Sequence, residues 1–373
     1  MKKLVKELYL KARGTIFSLF YLFTFLRRKK RCELGAIKKI FIIPLYRIGD
    51  TMVSIPVFRA LKESLPEAEI TVLANSYSEA LFKRIPYVDR VITYRAQDSF
   101  LKRYKIIKKF REVKFDLGID LTYDYTVTNA WLLSSLKADY TVGSNIYKRG
   151  FLFNRPVEPL KRNLHMVEIL LGIVESIEVK TENKNLQLNI SNRDKEEINL
   201  ILSKESVGVN DCLVGIHPGA FYPTQKWPYE RWSQVADKII EKYSVKIILL
   251  GGAKEKKALE IIKTSMQKEA IVFSGQSLEL LLAAIERCNL FLCNNSGPLH
   301  IACAVDTKTI STMGPTIACK WWPRGEGHIV LRKDLPCIAC NSGTCRIGTV
   351  DCMQQITTDD MLEAVVKQLD VRL

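Results

Sequence analysis

Short apolar runs alternate with longer amphipathic stretches along most of the chain. After residue 38 the apolar runs predict strands and the amphipathic stretches predict helices, an alternation typical of βαβ units on a parallel sheet. In the first series, strands are predicted over 40–44, 70–74, 90–93, 117–121 and 140–142, and helices over 52–64, 77–84, 98–112, 125–136 and 160–176.

A polar, Asn-rich stretch over 181–194 interrupts the alternation, which then restarts. Strands are predicted over 213–216, 245–250, 270–273, 290–292 and 307–312, and helices over 228–243, 254–267, 277–287, 296–304 and 357–369. A chain of 373 residues suits two domains. We therefore predict an α/β protein with two doubly wound, Rossmann-like domains, 38–190 and 191–373, facing across a cleft. In such folds ligands bind at the carboxyl ends of the strands.

The charge distribution adds an N-terminal segment to this picture. The formal net charge is +16, which indicates an anionic partner such as nucleic acid, a membrane surface or a phosphorylated substrate. Residues 1–37 carry ten Lys or Arg and two Glu, a net +8, around a charge-free, Phe-rich run over 14–26. A spanning helix needs about 20 apolar residues, and the basic run 27–31 replaces a signal cleavage site.

We therefore predict that 1–37 is a basic, apolar segment that associates with an anionic membrane surface. A helix packed on its own protein and a short signal-anchor that recruits residues 4–10 are the alternatives. Nucleic-acid binding is disfavoured, because the charge lies beside an apolar run and no nucleic-acid module is recognisable.

The ten cysteines fall into two groups. Most of those before residue 320 lie among apolar residues, where free cysteine behaves as a small buried hydrophobe. This usage fits a reducing cytoplasm, so the expected location is cytoplasmic, at the inner face of the membrane. The other group, Cys337, Cys340, Cys345 and Cys352, has a spacing that suits four thiolate ligands of Zn²⁺, with metal-free structural thiols as the alternative.

The first candidate site is the loop after the first strand, which contains Arg47, Gly49, Asp50 and Thr51. Gly49 permits close approach of the backbone to a ligand. Asp50 either caps the following helix or acts as a general base, and by spacing alone the cap is favoured. The loop matches neither a dinucleotide fingerprint nor a P-loop.

Further candidates follow strands of the second series. Gly219 lies in the sequence HPGA, and Lys226 precedes a predicted helix with Pro228 in its first turn. A cation beside a helix N-terminus suits a diphosphate, although a solvated lysine beside aromatic packing has the same appearance. Glu255 follows a Gly-Gly pair and suits hydrogen bonds from a ribose.

A third loop, over 293–300, runs from an apolar strand through Asn295, Ser296 and Gly297 into an amphipathic helix. This arrangement is typical of anion binding at a helix N-terminus. His300 belongs to the same helix, and alone it is better explained as a core residue than as a ligand-binding one.

Taken in order, RIGD (47–50), HPGA (217–220), KWPYERW (226–232), LLGGAKE (249–255) and NNSGPLH (294–300) resemble the ADP-heptose:lipopolysaccharide heptosyltransferases, glycosyltransferase family 9. The resemblance implies a GT-B fold and an inverting transfer of heptose from a nucleotide-heptose, ADP-heptose, to a lipopolysaccharide core acceptor. It implies no cofactor and no catalytic metal.

The resemblance also assigns roles. Asp50 is the implied base, with Arg47, Gly49 and Thr51 on the acceptor side. Lys226 is implied to stabilise the departing diphosphate and Glu255 to hold the ribose. The remaining implied donor residues are Gly219, Gly252, Asn295, Ser296, Gly297 and His300.

One position departs from the family pattern, because Asn295 stands where the family's DSG motif has Asp. The change keeps hydrogen bonding and removes a charge, which leaves two alternatives open. One is the same fold with another nucleotide sugar or surface glycan. The other is a nucleotide-sugar-binding protein without transfer activity.

Overall fold

A computed structural model describes residues 33–95, 97–123, 126–160 and 163–369. The chain divides into two compact units, an N-terminal unit up to Lys184 and a C-terminal unit from Asn185. Most of the predicted membrane-association segment, residues 1–32, lies outside the described residues. Within the described ranges, none of the helices has the length and apolar character needed to cross a bilayer.

The N-terminal unit is a six-stranded parallel sheet with strand order β3-β2-β1-β4-β5-β6. Its strands are β1 Lys39–Ile43, β2 Glu69–Asn75, β3 Arg90–Tyr94, β4 Leu117–Asp120, β5 Tyr140–Ser144 and β6 Arg155–Val157. Its helices are α1 Ile48–Val53, α2 Ile55–Ser64, α3 Glu79–Phe82, α4 Phe100–Lys109, α5 Thr128–Leu136 and α6 Met166–Glu175.

The C-terminal unit repeats this architecture with strand order β12-β11-β10-β7-β8-β9. Its strands are β7 Cys212–His217, β8 Val245–Gly251, β9 Ile271–Ser274, β10 Leu290–Asn294, β11 Thr309–Thr312 and β12 His328–Leu331. Its helices are α7 Asn192–Lys204, α8 Tyr229–Lys242, α9 Lys256–Ser265, α10 Leu278–Arg287, α11 Gly297–Ala304, α12 Ala318–Trp321, α13 Asp351–Gln354 and α14 Thr358–Leu369. The prediction of two doubly wound α/β folds is confirmed.

The central strands are buried along almost their whole length, as in β10, because helices cover both faces of a parallel sheet. The helices present apolar stripes to the sheets. In α8 the stripe consists of Trp232, Val235, Ala236 and Ile239, at the spacing of one helix face. Trp232 packs edge-to-face on Trp227, with ring centroids 4.8 Å apart, at the centre of the C-terminal core.

Several elements differ from the predicted ones. The helix predicted over 52–64 is two helices, α1 and α2, and the first starts at Ile48. The edge strands β6 and β12 were not predicted. Strand β6 contains Pro156, and proline obscures the strand pattern because within sheets it is confined to edge strands and bulges. Helix α7 begins within the stretch predicted as a polar crossover. Few of its residues are buried, so its apolar pattern is weak.

The strand orders place the candidate loops. The chain reverses its direction of winding between β1 and β4 in one sheet and between β7 and β10 in the other. These are topological switch points, where open α/β sheets leave a crevice at the carboxyl ends of the strands. The loops after β1, β7 and β10 therefore start where ligands bind in such folds.

Candidate active site

Three candidate loops meet at one edge of the C-terminal sheet. Strands β10, β7 and β8 are direct neighbours, and they end at Asn294, His217 and Gly251. Because all three strands are parallel, their carboxyl ends lie at the same edge. The structure thus brings together the predicted residues that follow them, which are Gly219, Gly252, Glu255, Asn295, Ser296 and Gly297.

The loops after β7 and β8 approach so closely at Gly219 that no larger residue fits undisturbed. A Cβ added there would lie 2.7 Å from Cε1 of His217 and 2.8 Å from Cγ of Glu255. Glu255 is fixed by its own turn, since its Oε2 accepts a hydrogen bond from the Gly252 N–H at 3.1 Å. The glutamate therefore lies beside the loop after β7.

Asn294, for which the sequence predicts no role, connects three segments by hydrogen bonds. Its Nδ2 donates to the Pro218 carbonyl at 2.7 Å, and its Oδ1 accepts from the Trp227 N–H at 3.1 Å. The Thr312 hydroxyl donates to the same Oδ1 at 2.8 Å. This fully buried amide links β10 and β11 to the loop after β7 and to the residue that follows Lys226.

Lys226 lies at the end of a short 3₁₀ turn, Pro223–Gln225, and is half-buried. Helix α8 starts at Tyr229 with Pro228 as its N-cap, one position later than the prediction of Pro228 in the first turn. Burial, together with a smaller contribution from the nearby Lys226 charge, lowers the pKa of His217 to about 4. The imidazole is therefore neutral at neutral pH, and Lys226 supplies the positive charge beside it.

The third loop leads into α11, whose N-cap is Ser296. The Ser296 Oγ is buried and has no hydrogen-bond partner among the residues that the structure describes. The first N–H groups of any helix lack intrahelical acceptors, so this end of α11 is suited to an anion.

Two other predicted residues of this loop contact Trp321 of α12. The Asn295 Nδ2 donates to the Trp321 carbonyl at 3.2 Å, and the His300 ring centroid lies 5.9 Å from that of Trp321. His300 is buried, as the core interpretation from sequence expects. The aromatic side of the loop is therefore formed by α12, an element absent from the sequence predictions.

In the N-terminal unit, the loop after β1 corrects one expectation. Arg47 is the N-cap of α1 and Asp50 is the third helical residue, so Asp50 is not the cap. The Thr51 N–H donates to the Arg47 carbonyl at 2.9 Å, which shows that the helix begins two residues before Asp50. An acidic residue in a first turn still interacts favourably with the helix dipole.

The other residues of this loop have distinct positions. Thr51 is fully buried, and its hydroxyl donates to the Arg47 carbonyl at 3.1 Å, so it shapes the turn. Arg47 is exposed, and Gly49 and Asp50 are half-buried. Arg47, Gly49 and Asp50 thus remain accessible to a substrate at the switch point of this unit.

Below the β1 loop lies a buried polar network. The Tyr46 hydroxyl donates to Asn129 Oδ1, and Asn75 Nδ2 donates to the Tyr46 carbonyl at 3.1 Å. Asp120, the last residue of β4, lies 3.5 Å from the Arg149 guanidinium, and both side chains are fully buried. Burial raises the pKa of Tyr46. This network is not predicted from the sequence, although two of its members, Asn75 and Asp120, stand out as polar residues at the ends of β2 and β4.

Two doubly wound parallel sheets with ligand-binding loops at their switch points are the architecture of GT-B glycosyltransferases. Residues 103–350 match the profile described as glycosyltransferase family 9 (heptosyltransferase), so the chain belongs to this family and is a glycosyltransferase. The resemblance noted from the motifs is thereby confirmed.

Curated relatives cover most of the chain. Lipooligosaccharide heptosyltransferase 2 of Campylobacter jejuni is 24% identical over 331 residues, which is 87% of this chain and 96% of that protein. Lipopolysaccharide heptosyltransferase 2 of Salmonella typhimurium is 27% identical over 305 residues, 74% of this chain and 83% of that protein.

Solved structures share the fold. A family 9 glycosyltransferase from Veillonella parvula superposes with a TM-score of 0.82 at 20% identity, over 89% of this chain and 97% of that one. The ADP-heptose lipopolysaccharide heptosyltransferase II of Escherichia coli gives 0.75 at 22% identity, over 89% of this chain and 98% of that one.

Proposed function

We propose that the chain transfers a heptose from ADP-heptose to a lipopolysaccharide core acceptor, with inversion at the anomeric carbon and without a metal in the transfer step. The family and the names of its relatives support the reaction class. The single observation that supports a donor site in the C-terminal unit is the convergence of the loops after β7, β8 and β10 at one sheet edge.

In this proposal residues 191–373 form the donor domain. Glu255 accepts hydrogen bonds from the ribose, and Gly219 and Gly252 let the backbone approach the nucleotide. Lys226 and the N-terminal end of α11, with Ser296 and Gly297, bind the diphosphate. Asn295 and His300 line the sugar.

Residues 38–190 form the acceptor domain, in which Arg47, Gly49 and Thr51 shape the acceptor side. Asp50 takes the proton of the acceptor hydroxyl as that oxygen bonds to the anomeric carbon. The bond from this carbon to the diphosphate breaks on the opposite face, which inverts the configuration. Negative charge grows on the departing ADP, where the Lys226 cation and the helix N–H groups lower the barrier. General-base assistance of the Asp50 kind is worth about 10²–10⁴-fold in rate.

A donor screen with the purified full chain tests this function. ADP-heptose, ADP-glucose and UDP- and GDP-sugars are each incubated with a heptose-deficient core acceptor, and ADP release and acceptor mass are measured. We expect acceptor-dependent release of ADP and one added heptose. Turnover of a different nucleotide sugar alone would replace the donor assignment, and tight ADP-heptose binding without turnover would support a binding protein.

We also propose that residues 1–37 hold the enzyme on the anionic, cytoplasmic face of the membrane, close to a lipid-linked acceptor. The support is the net +8 around an apolar run. Full-length protein and a variant lacking residues 1–31 are sedimented with anionic and with neutral vesicles. We expect only the full-length protein to sediment with anionic vesicles, and to be released by salt. Equal sedimentation of the two proteins would contradict the proposal.

A further inference from the structure

An unusually long irregular segment connects β12 to α13. Residues 332–350 contain no helix or strand. Loops of more than about 12–15 residues without secondary structure are uncommon in compact domains and usually have a function. Cys337, Cys340 and Cys345 lie on this segment, and Cys352 lies in α13 immediately after it.

All four of these cysteines meet around one cavity. They line it together with Thr224 and Pro315. The Val350 N–H donates a hydrogen bond to the Cys345 sulfur at 3.4 Å. Backbone N–H groups directed at sulfur are the outer-shell contacts that orient a thiolate ligand in metal sites.

The backbone of this segment enters the left-handed region at several residues other than glycine, which is uncommon. Ala339, Asn341 and Val350 have φ values of 62°, 47° and 53°, in the left-handed region. For a β-branched residue such as Val350 this conformation is a genuine outlier, and such strain clusters at ligand clamps. These three residues lie between Cys337 and Cys352, the first and the last of the four cysteines.

We propose that Cys337, Cys340, Cys345 and Cys352 bind one Zn²⁺ ion through four thiolates. Four cysteines are a complete tetrahedral set, and soft thiolate ligands select zinc over hard cations. With the side chains in their present orientations, the described ranges contain no group of three or more His, Cys, Asp or Glu residues that is arranged to hold a metal ion. Binding therefore requires rotation of the thiols until each sulfur lies about 2.3 Å from the ion. A site closed by four protein ligands is structural, and it leaves the transfer step free of metal.

The proposed site stabilises the segment that precedes Lys226. The Thr224 hydroxyl donates to the Ser342 carbonyl at 2.6 Å, and a Cβ added to Gly343 would lie 2.7 Å from Cδ1 of Tyr222. A metal that fixes the cysteine loop thus fixes the 3₁₀ turn leading to Lys226. This consequence for donor binding rests on the proposed function, whereas metal binding itself does not.

Metal content of the full-length chain tests the site. The protein is purified under reducing conditions with Zn²⁺ in the medium, and metal is measured by mass spectrometry of the elements. We expect one zinc per chain, and after exchange with Co²⁺ the absorption bands of a tetrahedral cobalt–thiolate complex. Cys340→Ser and Cys345→Ser should lose the metal, whereas the matched variant Cys319→Ser, an exposed cysteine outside the cavity, should keep it.

If the variants fail to fold, the metal content of the parent protein alone tests the proposal. A metal-free parent in which the four cysteines titrate as free thiols, or are joined as disulfides by mass, would overturn the proposal. Retention of zinc by Cys340→Ser would also overturn the proposal. ADP binding is measured on the same samples. One zinc per chain without any donor binding would leave the metal site standing and refute the proposed function.

Discussion

Asn294 should be the residue on which the shape of the donor loops depends most. Replacing it with alanine removes the hydrogen bonds to the Pro218 carbonyl, the Trp227 N–H and the Thr312 hydroxyl. All of these groups belong to buried residues, so water does not replace the lost partner. The variant tests whether the hydrogen bonds of Asn294, at the end of β10, determine the conformation of the donor loops.

The expected magnitude follows from the hydrogen bonds. A buried polar group left without a partner costs about 1–3 kcal/mol. Three such groups with partial relaxation amount to about 3–5 kcal/mol, which is a large part of the stability of one domain. The Trp227 backbone is released in this variant, so Lys226 next to it should also lose its position, and ADP affinity should fall.

Urea unfolding and calorimetric ADP binding measure the two effects. Asn289→Ala is the matched control, because Asn289 is half-buried and its Oδ1 accepts one hydrogen bond, from the Leu213 N–H at 2.8 Å. We expect the control to lose about 1 kcal/mol and to bind ADP normally. If Asn294→Ala is no less stable than Asn289→Ala, the proposed role of Asn294 is wrong.

Three further results are expected. The folded pKa of His217, about 4, lies below the ordinary 6.5, so the unfolded chain binds more protons between these values. Stability should therefore fall by about 3 kcal/mol as pH drops from about 7 to 4, and this component should be missing from the pH-dependent urea unfolding of His217→Gln. Lys226→Ala should weaken ADP binding about 10- to 100-fold and adenosine binding little, since it removes a cation at the phosphate end. Equal losses of ADP and adenosine affinity by calorimetry would show that Lys226 does not bind the diphosphate. Arg149→Met leaves the buried Asp120 carboxylate without its ion pair and should cost about 3–5 kcal/mol in urea unfolding. Lys333→Met, which breaks a more exposed pair, should cost at most about 1 kcal/mol, and similar losses in both would refute the argument.

Much of the fold was predictable because buried parallel strands are almost purely apolar. Strands such as β1 and β10 stand out as short runs of Ile, Leu and Phe between amphipathic helices, and the alternation alone implies parallel sheets. The switch points then follow from the usual winding of such sheets. Helix α7 and strand β12 lack this signal, since α7 is mostly polar and the residues of β12 are only half-buried.

The candidate site was predictable only where a local pattern marks it. Gly219 and Ser296 follow strands directly, so their position at a sheet edge is implied by sequence. The contacts of Asn294 and the Asp120–Arg149 pair depend on residues distant in the chain, which no local pattern reveals. Spacing alone favours Asp50 as the cap because Asp is common at that position, whereas the chain already turns into the helix at Arg47.

Turnover of ADP-heptose by Asp50→Asn tests the central claim most directly. The substitution keeps the shape of the side chain and removes the proton acceptor. Asp194→Asn is the matched control, because Asp194 occupies the same third position of α7. Loss of the charge near a helix start costs about 0.3–1 kcal/mol in either variant. We expect kcat for heptose transfer to fall about 10²–10⁴-fold only in Asp50→Asn, with ADP affinity and melting temperature close to those of the parent. Transfer by Asp50→Asn within a few-fold of the parent rate would contradict the account.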